Sequence, residues 1–165
     1  MKILVPVSGS KASLAAVRHA AAAVREGSGE IILVNVQPWL PAYVARFTSR
    51  AARDAMRAER SAVALAGARA LLDAAGVRYG VVAASGPIAG AVAQAARRSG
   101  AGQIVLGTTR RAGWRQALFS PVPRIIDQAE VPVAVIGDGR SGVFERFGIP
   151  ACVGLGLTAL VIASE

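Results

Sequence analysis

The sequence has few of the side chains that carry metal and redox chemistry. Its 165 residues include one cysteine, Cys152, and one histidine, His19. A single cysteine forms no internal disulfide, and one cysteine with one histidine is too small a set for a zinc site or a Cys/His catalytic pair. We therefore expect no metal site and a protein suited to a reducing compartment.

Aromatic residues and lysine are also scarce. Aromatics make up 5% of the chain, too few for a base-stacking surface, so we predict no specific nucleic-acid partner. The formal charge of +9 comes from seventeen arginines and only two lysines. Because arginine binds phosphate and carboxylate through two parallel hydrogen bonds, anionic partners of another kind are expected.

Short apolar runs alternate with longer alanine-rich stretches along most of the chain. The stretches predict helices, with Ser10 capping the first and a long helix running from Pro41 to Ala75. Crossover helices between continuous apolar strands predict an α/β fold, a doubly wound, five-stranded parallel sheet in the order 3-2-1-4-5 with helices on both faces. The predicted strands are residues 2–7, 30–36, 77–84, 103–107 and 131–137.

Composition divides the chain into three parts. Residues 1–138 form the α/β domain, 139–146 a polar, glycine-containing linker, and 147–163 an uncharged apolar C-terminal segment. As a helix this segment would span about 25 Å, somewhat short of the ~30 Å hydrocarbon core of a bilayer. It is either a membrane anchor or an element that packs on the domain or on a second copy. The first residues lack a signal-peptide pattern, so we expect a cytoplasmic protein, at the cytoplasmic face of the membrane where the segment anchors it.

Five short motifs, in order along the chain, resemble the universal stress protein family. They are "ILVPVSGS" in the first strand, "LVNV" in the second, "GP" before the third helix, "IVLGTTR" at the fourth strand and "VPVAVIG" at the fifth. The resemblance covers residues 1 to about 138. It implies the doubly wound fold, a site for ATP or AMP at the loops after strands one and four, and homodimers paired through strand five.

The nucleotide motif that the resemblance implies is incomplete in this chain. Gly107 stands at its first glycine, but Arg110 and Ser120 stand at the next two. Pro121 replaces the final hydroxyl residue, and Ser8 stands where the family has an aspartate. An added Cβ and a lost N–H weaken a loop whose backbone amides hold phosphate, which leaves arginines and hydroxyls as the alternative ligands. The candidate nucleotide-binding residues are Val7, Ser8, Val36, Gly107, Thr108, Thr109, Arg110, Arg111, Ser120 and Val122.

Two surfaces are candidates for contact with partners. The resemblance implies a dimer edge on the fifth strand, carried by Val131, Val133 and Val135. Along the long helix, arginines recur at spacings of three and four, which predicts a basic face opposite an alanine-rich apolar stripe. This face is either solvated or docks on an acidic protein or anionic lipid. The basic partner face consists of Arg46, Arg50, Arg53, Arg57 and Arg60.

The sequence shows no acid pair that shares a site and no nucleophile with a recognisable base, so we predict no enzyme and no required cofactor, with ATP or AMP as the nucleotides that the resemblance implies. The favoured function is a non-enzymatic regulatory stress-response protein that acts as a homodimer through partner contacts and has an altered nucleotide site. One alternative is a membrane-attached accessory or sensor subunit of a transporter or other membrane complex. The other is a stress protein that binds ATP or AMP.

Overall fold

The computed structural model describes residues 1–39, 47–109, 121–137 and, for the backbone alone, 143–146. Several predictions of the sequence concern residues outside these ranges. They include Arg46 of the basic partner face and the whole C-terminal segment 147–163. The candidate nucleotide-binding residues outside the described ranges are Arg110, Arg111 and Ser120.

One sheet organises the described chain, and its strands are β1 (Lys2–Pro6), β2 (Glu30–Gln37), β3 (Tyr79–Ser85), β4 (Gln103–Thr108), β5 (Val133–Gly137) and β6 (Val143–Arg146). Their order across the sheet is β3-β2-β1-β4-β5-β6. The first five are parallel and follow the predicted order 3-2-1-4-5, which confirms that prediction.

The sixth strand was not predicted. Residues 143–146 lie in the predicted linker, yet they pair antiparallel with β5 in the same chain. Of the predicted dimer-edge residues, Val133 and Val135 lie in β5, whereas Val131 precedes it. Dimerisation through this strand stays a prediction, but its outer edge is already occupied by β6.

Within the described ranges, four helices cover the sheet: α1 (Lys11–Glu26), α2 (Arg50–Ala75), α3 (Ile88–Ser99) and α4 (Val122–Gln128). The start of α1 is as predicted, because the Ser13 N–H donates to Ser10 Oγ at 3.2 Å. The predicted start of the long helix is wrong, since residues 47–49 are not helical. Ser49 instead caps α2 by accepting the Ala52 N–H at 3.1 Å, a contact that sets the first helical residue at position 50.

The core lies in two apolar layers, one on each face of the sheet. Alternate residues of a strand point to opposite faces, so Ile3 packs with α1 and α2 while Leu4 packs with α3 and α4. Leu65 and Leu72 of α2 are almost fully buried in the first layer, and Ile125 of α4 is almost fully buried in the second. Helices therefore cover both faces, as a doubly wound sheet requires.

The predicted geometry of the long helix is wrong in one respect. Its arginines flank the buried stripe instead of lying opposite to it. The stripe runs through Ser61, Leu65 and other residues of the same face, and Arg57 stands one helical turn before Ser61. The alanines assigned to the apolar stripe, by contrast, are exposed. The leucines decide which side is buried because they carry much more apolar surface than alanine.

Within the described parts of the chain, no helix combines the length and the apolar character needed to cross a membrane.

Candidate functional site

A pocket lies at the carboxyl ends of β1, β2 and β4. In a doubly wound sheet this is where the winding reverses, because β1 leads into α1 on one face and β4 leads towards α4 on the other. The pocket has a volume of about 170 Å³. It is lined by Pro6, Val7, Ser8, Ser13, Val34, Asn35, Val36, Ile88, Leu106, Gly107, Pro121, Val122 and Ile125.

The structure brings five of the predicted nucleotide-binding residues together at this pocket: Val7, Ser8, Val36, Gly107 and Val122. Thr108 and Thr109 are described but do not line it. Binding of a ligand by these residues stays a prediction, while their convergence is a fact of the fold.

Three serines at one side of the pocket form a local network. Ser8 Oγ donates to Ser10 Oγ at 3.1 Å, and Ser10 Oγ also accepts the Ser13 N–H as the cap of α1. Ser13 Oγ donates to the Ser10 carbonyl at 2.8 Å. Ser8 is exposed and its oxygen has lone pairs that these contacts do not use, so it is the serine best placed to accept a hydrogen bond from a ligand.

Asn35 is a pocket residue that the sequence reasoning missed. It is 4% exposed, and its Nδ2 donates to the Val7 carbonyl at 2.7 Å. Its Oδ1 accepts from Gln37 Nε2, so the amide joins the ends of β1 and β2. The available signal was a single amide in the apolar run "ILVNV", because a polar group buried in a strand needs specific partners.

Gly107 has a structural role that does not depend on a ligand. A Cβ on this residue would overlap the backbone carbonyl of Ala12 in the first turn of α1. Only glycine allows β4 and α1 to approach this closely, so the residue is explained by packing alone. The resemblance to the family motif had implied a role for Gly107 in phosphate binding.

None of the described residues that line the pocket carries an ionisable side chain. The lining offers hydroxyls, one amide, backbone groups and apolar surface. Likewise, the described residues contain no group of three or more His, Cys, Asp or Glu side chains that could hold a metal ion. Chemically, this arrangement suits the enclosure of a flat, mostly apolar group that is oriented by a few hydrogen bonds.

The basic partner face borders a second depression, of about 390 Å³, between α2 and β3. Arg57 lines it, and its Nη1 lies 3.3 Å from Asp54 Oδ1 on the same helix. The Arg57 Nε–H is buried and has no hydrogen-bond partner within the described structure. Arg53 Nη1 donates to the Thr48 carbonyl at 2.8 Å. Two arginines of this face are thus partly engaged near the start of α2, and partner docking by the face stays a prediction.

A doubly wound sheet with a pocket at the ends of its first and fourth strands defines an α/β protein whose pocket lies where the winding of the sheet reverses. The model of the universal stress protein family matches residues 1–137, and the chain belongs to that family. No curated protein matches the sequence.

Solved structures share this fold. A universal stress family protein from Burkholderia pseudomallei is 27% identical, with a TM-score of 0.60, over 82% of this chain and 94% of that one. A universal stress protein in complex with cAMP is 17% identical, with a TM-score of 0.61, over 84% and 98%. A family member from Arabidopsis thaliana with AMP bound is 20% identical, with a TM-score of 0.60, over 85% and 93%.

Proposed function

We propose that this chain is a non-catalytic regulatory protein of the universal stress type whose strand-end pocket binds a nucleoside monophosphate. The observation that carries the proposal is the pocket lining, which is apolar with hydroxyls and an amide and, among its described residues, has no charge. AMP and cAMP, bound by two proteins of the same fold, are ligands of this kind.

The size of the pocket favours a ligand that inserts one ring system. Its volume of about 170 Å³ is below the range of roughly 300–1,000 Å³ that is usual for drug-sized ligands. Val7, Val36 and Val122 supply apolar surface for a base, and Ser8 is placed at the edge for a ribose hydroxyl. The phosphate then lies outside the apolar part of the pocket.

Magnesium-bound ATP fits this lining less well than a monophosphate. Mg²⁺ is usually held by one or two carboxylates together with the phosphates, and Ser8 stands where the family motif has its carboxylate. A triphosphate also brings more negative charge to a described lining that has no cation. We therefore expect no gain in affinity from the second and third phosphates.

Calorimetric titration of the full chain with AMP, cAMP and ATP, each with and without Mg²⁺, tests the proposal. We expect AMP and cAMP to bind with dissociation constants of about 10 to 1,000 μM, which correspond to roughly −7 to −4 kcal/mol. We expect Mg²⁺ to leave ATP affinity unchanged and AMP to stay intact on incubation. Micromolar ATP binding that requires Mg²⁺ contradicts the proposal, and so does the absence of binding by all three.

A charged substitution at the pocket rim tests whether AMP binds in this pocket. Ile88 lines the pocket and is 45% exposed, so Ile88→Glu places a carboxylate there without burying it. We expect AMP affinity to fall about tenfold through repulsion of the phosphate, and adenosine affinity to change less. Val63→Glu is the control, because Val63 is 74% exposed on α2 and does not line the pocket. Equal effects of the two variants would exclude this pocket.

A second candidate function rests on the sequence of residues 147–163, which contain no charged side chain. We propose as this alternative an accessory or sensor subunit that is held at a membrane by this segment. Membrane fractionation of the full chain and of a chain ending at Arg146 tests it. Recovery of only the full chain with membranes supports the alternative, and recovery of both chains in the soluble fraction removes it.

A further inference from the structure

β3 is an edge strand of the sheet. Among the described strands it pairs only with β2, along its whole length from Tyr79 to Ser85. The strand contains no charged residue and no proline. Proteins usually protect an edge of this kind with charges, prolines or a covering element, because its unpaired backbone groups can bind another strand. Within the described ranges, the sheet therefore has a long, uncharged edge that is open to pairing.

Every second residue of β3 directs its backbone groups away from β2. At the start of the strand, the Ile31 N–H of β2 donates to the Arg78 carbonyl at 3.2 Å. Past its end, the Gly86 N–H donates to the Gln37 carbonyl of β2 at 3.1 Å. Residues at even positions thus face β2, and since successive residues alternate, those at odd positions face outwards. The residues that can pair with an added strand are Tyr79, Val81, Ala83 and Ser85.

The outward edge of β3 borders the depression of about 390 Å³ between α2 and β3. Val81 and Ala83 are exposed and line this depression. Alternate side chains of a strand added to β3 would point to the same side of the sheet. The volume lies within the range of roughly 300–1,000 Å³ that is usual for ligand sites, so it accommodates such side chains. An added strand can therefore be held by its backbone at the edge and by its side chains in the depression.

Two arginines of α2 line the depression and suit it to a carboxylate. The Arg57 Nε–H is buried without a hydrogen-bond partner in the described structure. Arg69 is exposed and forms no ion pair with another described residue. Asp54, the one acidic residue of the described lining, lies 3.3 Å from Arg57 Nη1 and balances only one of the two charges. A carboxylate that accepts from a guanidinium through two parallel hydrogen bonds would also satisfy the buried Nε–H.

We propose that the edge of β3 and the depression beside it bind an extended acidic peptide segment of another protein. The peptide adds a strand to β3, and a carboxylate on every second residue faces the arginines of α2. Charge favours this occupant over a second copy of the chain, which would bring the same arginines and the same net charge of +9 to the interface. The site shares no residue with the strand-end pocket, so this proposal is independent of the nucleotide proposal.

Fluorescence polarisation with a labelled peptide tests the proposal on the full chain. The probe is a heptapeptide of alternating glutamate and threonine, and its reference has glutamine in place of glutamate. We expect the glutamate peptide to bind about tenfold more tightly than the glutamine peptide. Equal affinities of the two peptides overturn the proposal, and so does the absence of binding at about 1 mM peptide.

Substitutions in β3 test the backbone part of the site. Ala83→Pro removes an outward N–H and leaves the groups that face β2 in place, as an edge strand allows. Ala83→Asp repels the acidic peptide at the same exposed position without constraining the backbone. We expect each variant to bind the glutamate peptide about tenfold more weakly, with an unchanged circular dichroism spectrum. Unchanged binding by Ala83→Asp overturns the proposal.

Substitution of Arg57 tests the charged part of the site. We expect Arg57→Gln to weaken binding of the glutamate peptide about tenfold and to leave binding of the glutamine peptide within about twofold. Arg18→Gln is the matched control, because Arg18 is exposed on α1 and does not line the depression. Equal losses in the two variants would mean a general attraction of the peptide to a cationic protein and would overturn the proposal.

Amide hydrogen exchange of the full chain identifies what occupies the edge. We expect the Val81 and Ala83 amides to exchange about tenfold more slowly when the glutamate peptide is added. The Gly86 amide, bonded to β2, is expected to be unaffected. Peptide binding that leaves Val81 and Ala83 unprotected overturns the proposal. Protection of these amides that rises with protein concentration in the absence of peptide assigns the edge to a second copy and overturns it as well.

Discussion

At the scale of single residues, Ser8 is the residue that we propose determines which nucleotide the strand-end pocket holds. Its hydroxyl is neutral and donates to Ser10, so it offers one weak acceptor where a carboxylate would offer a strong one. Ser8→Asp restores that carboxylate at an exposed position beside the start of α1, where a negative charge is also favourable.

We expect Ser8→Asp to raise AMP affinity about tenfold, because a carboxylate at the proposed ribose position accepts a hydrogen bond worth about 1.5–3 kcal/mol, which outweighs its repulsion of the phosphate. Ser8→Asn is the matched control, since it has nearly the same shape without the charge, and its affinity is expected to stay within about twofold. Calorimetry with AMP measures both. Equal affinities of the Asp and Asn variants would contradict the role given to this position.

Substitution of Gly107 tests whether this glycine of the apparent nucleotide motif is needed for the stability of the fold. In Gly107→Ala the new methyl group overlaps the Ala12 carbonyl, and we expect a loss of about 1–3 kcal/mol in the free energy of unfolding. Gly90→Ala is the control, because its methyl group would meet only Gln128 Oε1 at 3.7 Å on an exposed helix face. We expect that variant to gain about 0.5–1 kcal/mol. Urea denaturation compares them, and an unaffected Gly107→Ala protein would refute the packing role.

Tyr79 makes the stability of the fold depend on pH. It is the first residue of β3, at the end of the sheet away from the pocket. Partial burial raises the pKa of Tyr79 above its ordinary value of 10.0, and a hydrogen bond to Asp73 raises it further. The unfolded chain thus loses this proton at lower pH than the folded one. The stabilising contribution is complete below the unfolded pKa and is lost as pH rises through the folded pKa.

We expect unfolding free energy to fall more steeply above about pH 10 in the natural chain than in Tyr79→Phe, which has no proton to lose. Urea denaturation at about pH 8 and about pH 11 measures the difference between the two chains. Parallel curves in this window would show that Tyr79 makes no such contribution.

At the scale of elements, α2 shows what periodicity can and cannot predict. The spacing of its arginines correctly placed them on one side of a helix, but spacing does not say which side faces the sheet. The burial of Leu65 and Leu72 decides that, and it leaves Arg53 and Arg57 half-buried. The start of α2 was missed because Val44 and Phe47 continue the helical spacing of the residues after position 49, and only a cap marks the boundary.

The cap of α2 can be tested by one substitution. Ser49→Ala removes the oxygen that accepts the Ala52 N–H, and we expect a loss of about 1 kcal/mol in stability. Ser49→Asp keeps an acceptor at the same position and is expected to match the natural chain. Thermal unfolding compares the three proteins, and a neutral Ser49→Ala variant would mean that the helix does not begin here.

Sequence pattern was likewise sufficient to predict some strands and not others. Continuous apolar runs predicted β1 to β5 because both faces of a parallel sheet are covered by helices. β6 was missed because its sequence, "VFER" after a glycine-containing polar stretch, has the composition of a linker. Its pairing depends on the free edge of β5, which is a property of the sheet and not of the local sequence.

At the scale of the whole molecule, the order of the strands was predictable and the details of the pocket were not. Right-handed crossovers leave few ways to arrange alternating strands and helices, so the loops after β1 and β4 had to meet. Ser8 and Gly107, which lie in or beside these loops, were named through the resemblance to the family motif. Asn35 and Ile88 were not, because they reach the pocket from β2 and from the start of α3, and only the packing of all three layers brings them there.

The whole molecule offers two candidate regions for an anionic ligand, the strand-end pocket and the arginines of α2. A two-dimensional NMR titration of the full chain with AMP tests the central claim, that the pocket is the ligand site, most directly. We predict shifts concentrated at Val7, Ser8, Val36 and Ile88, with Arg50 and Arg60 unmoved. Shifts centred on α2 with an unaffected pocket would contradict the account.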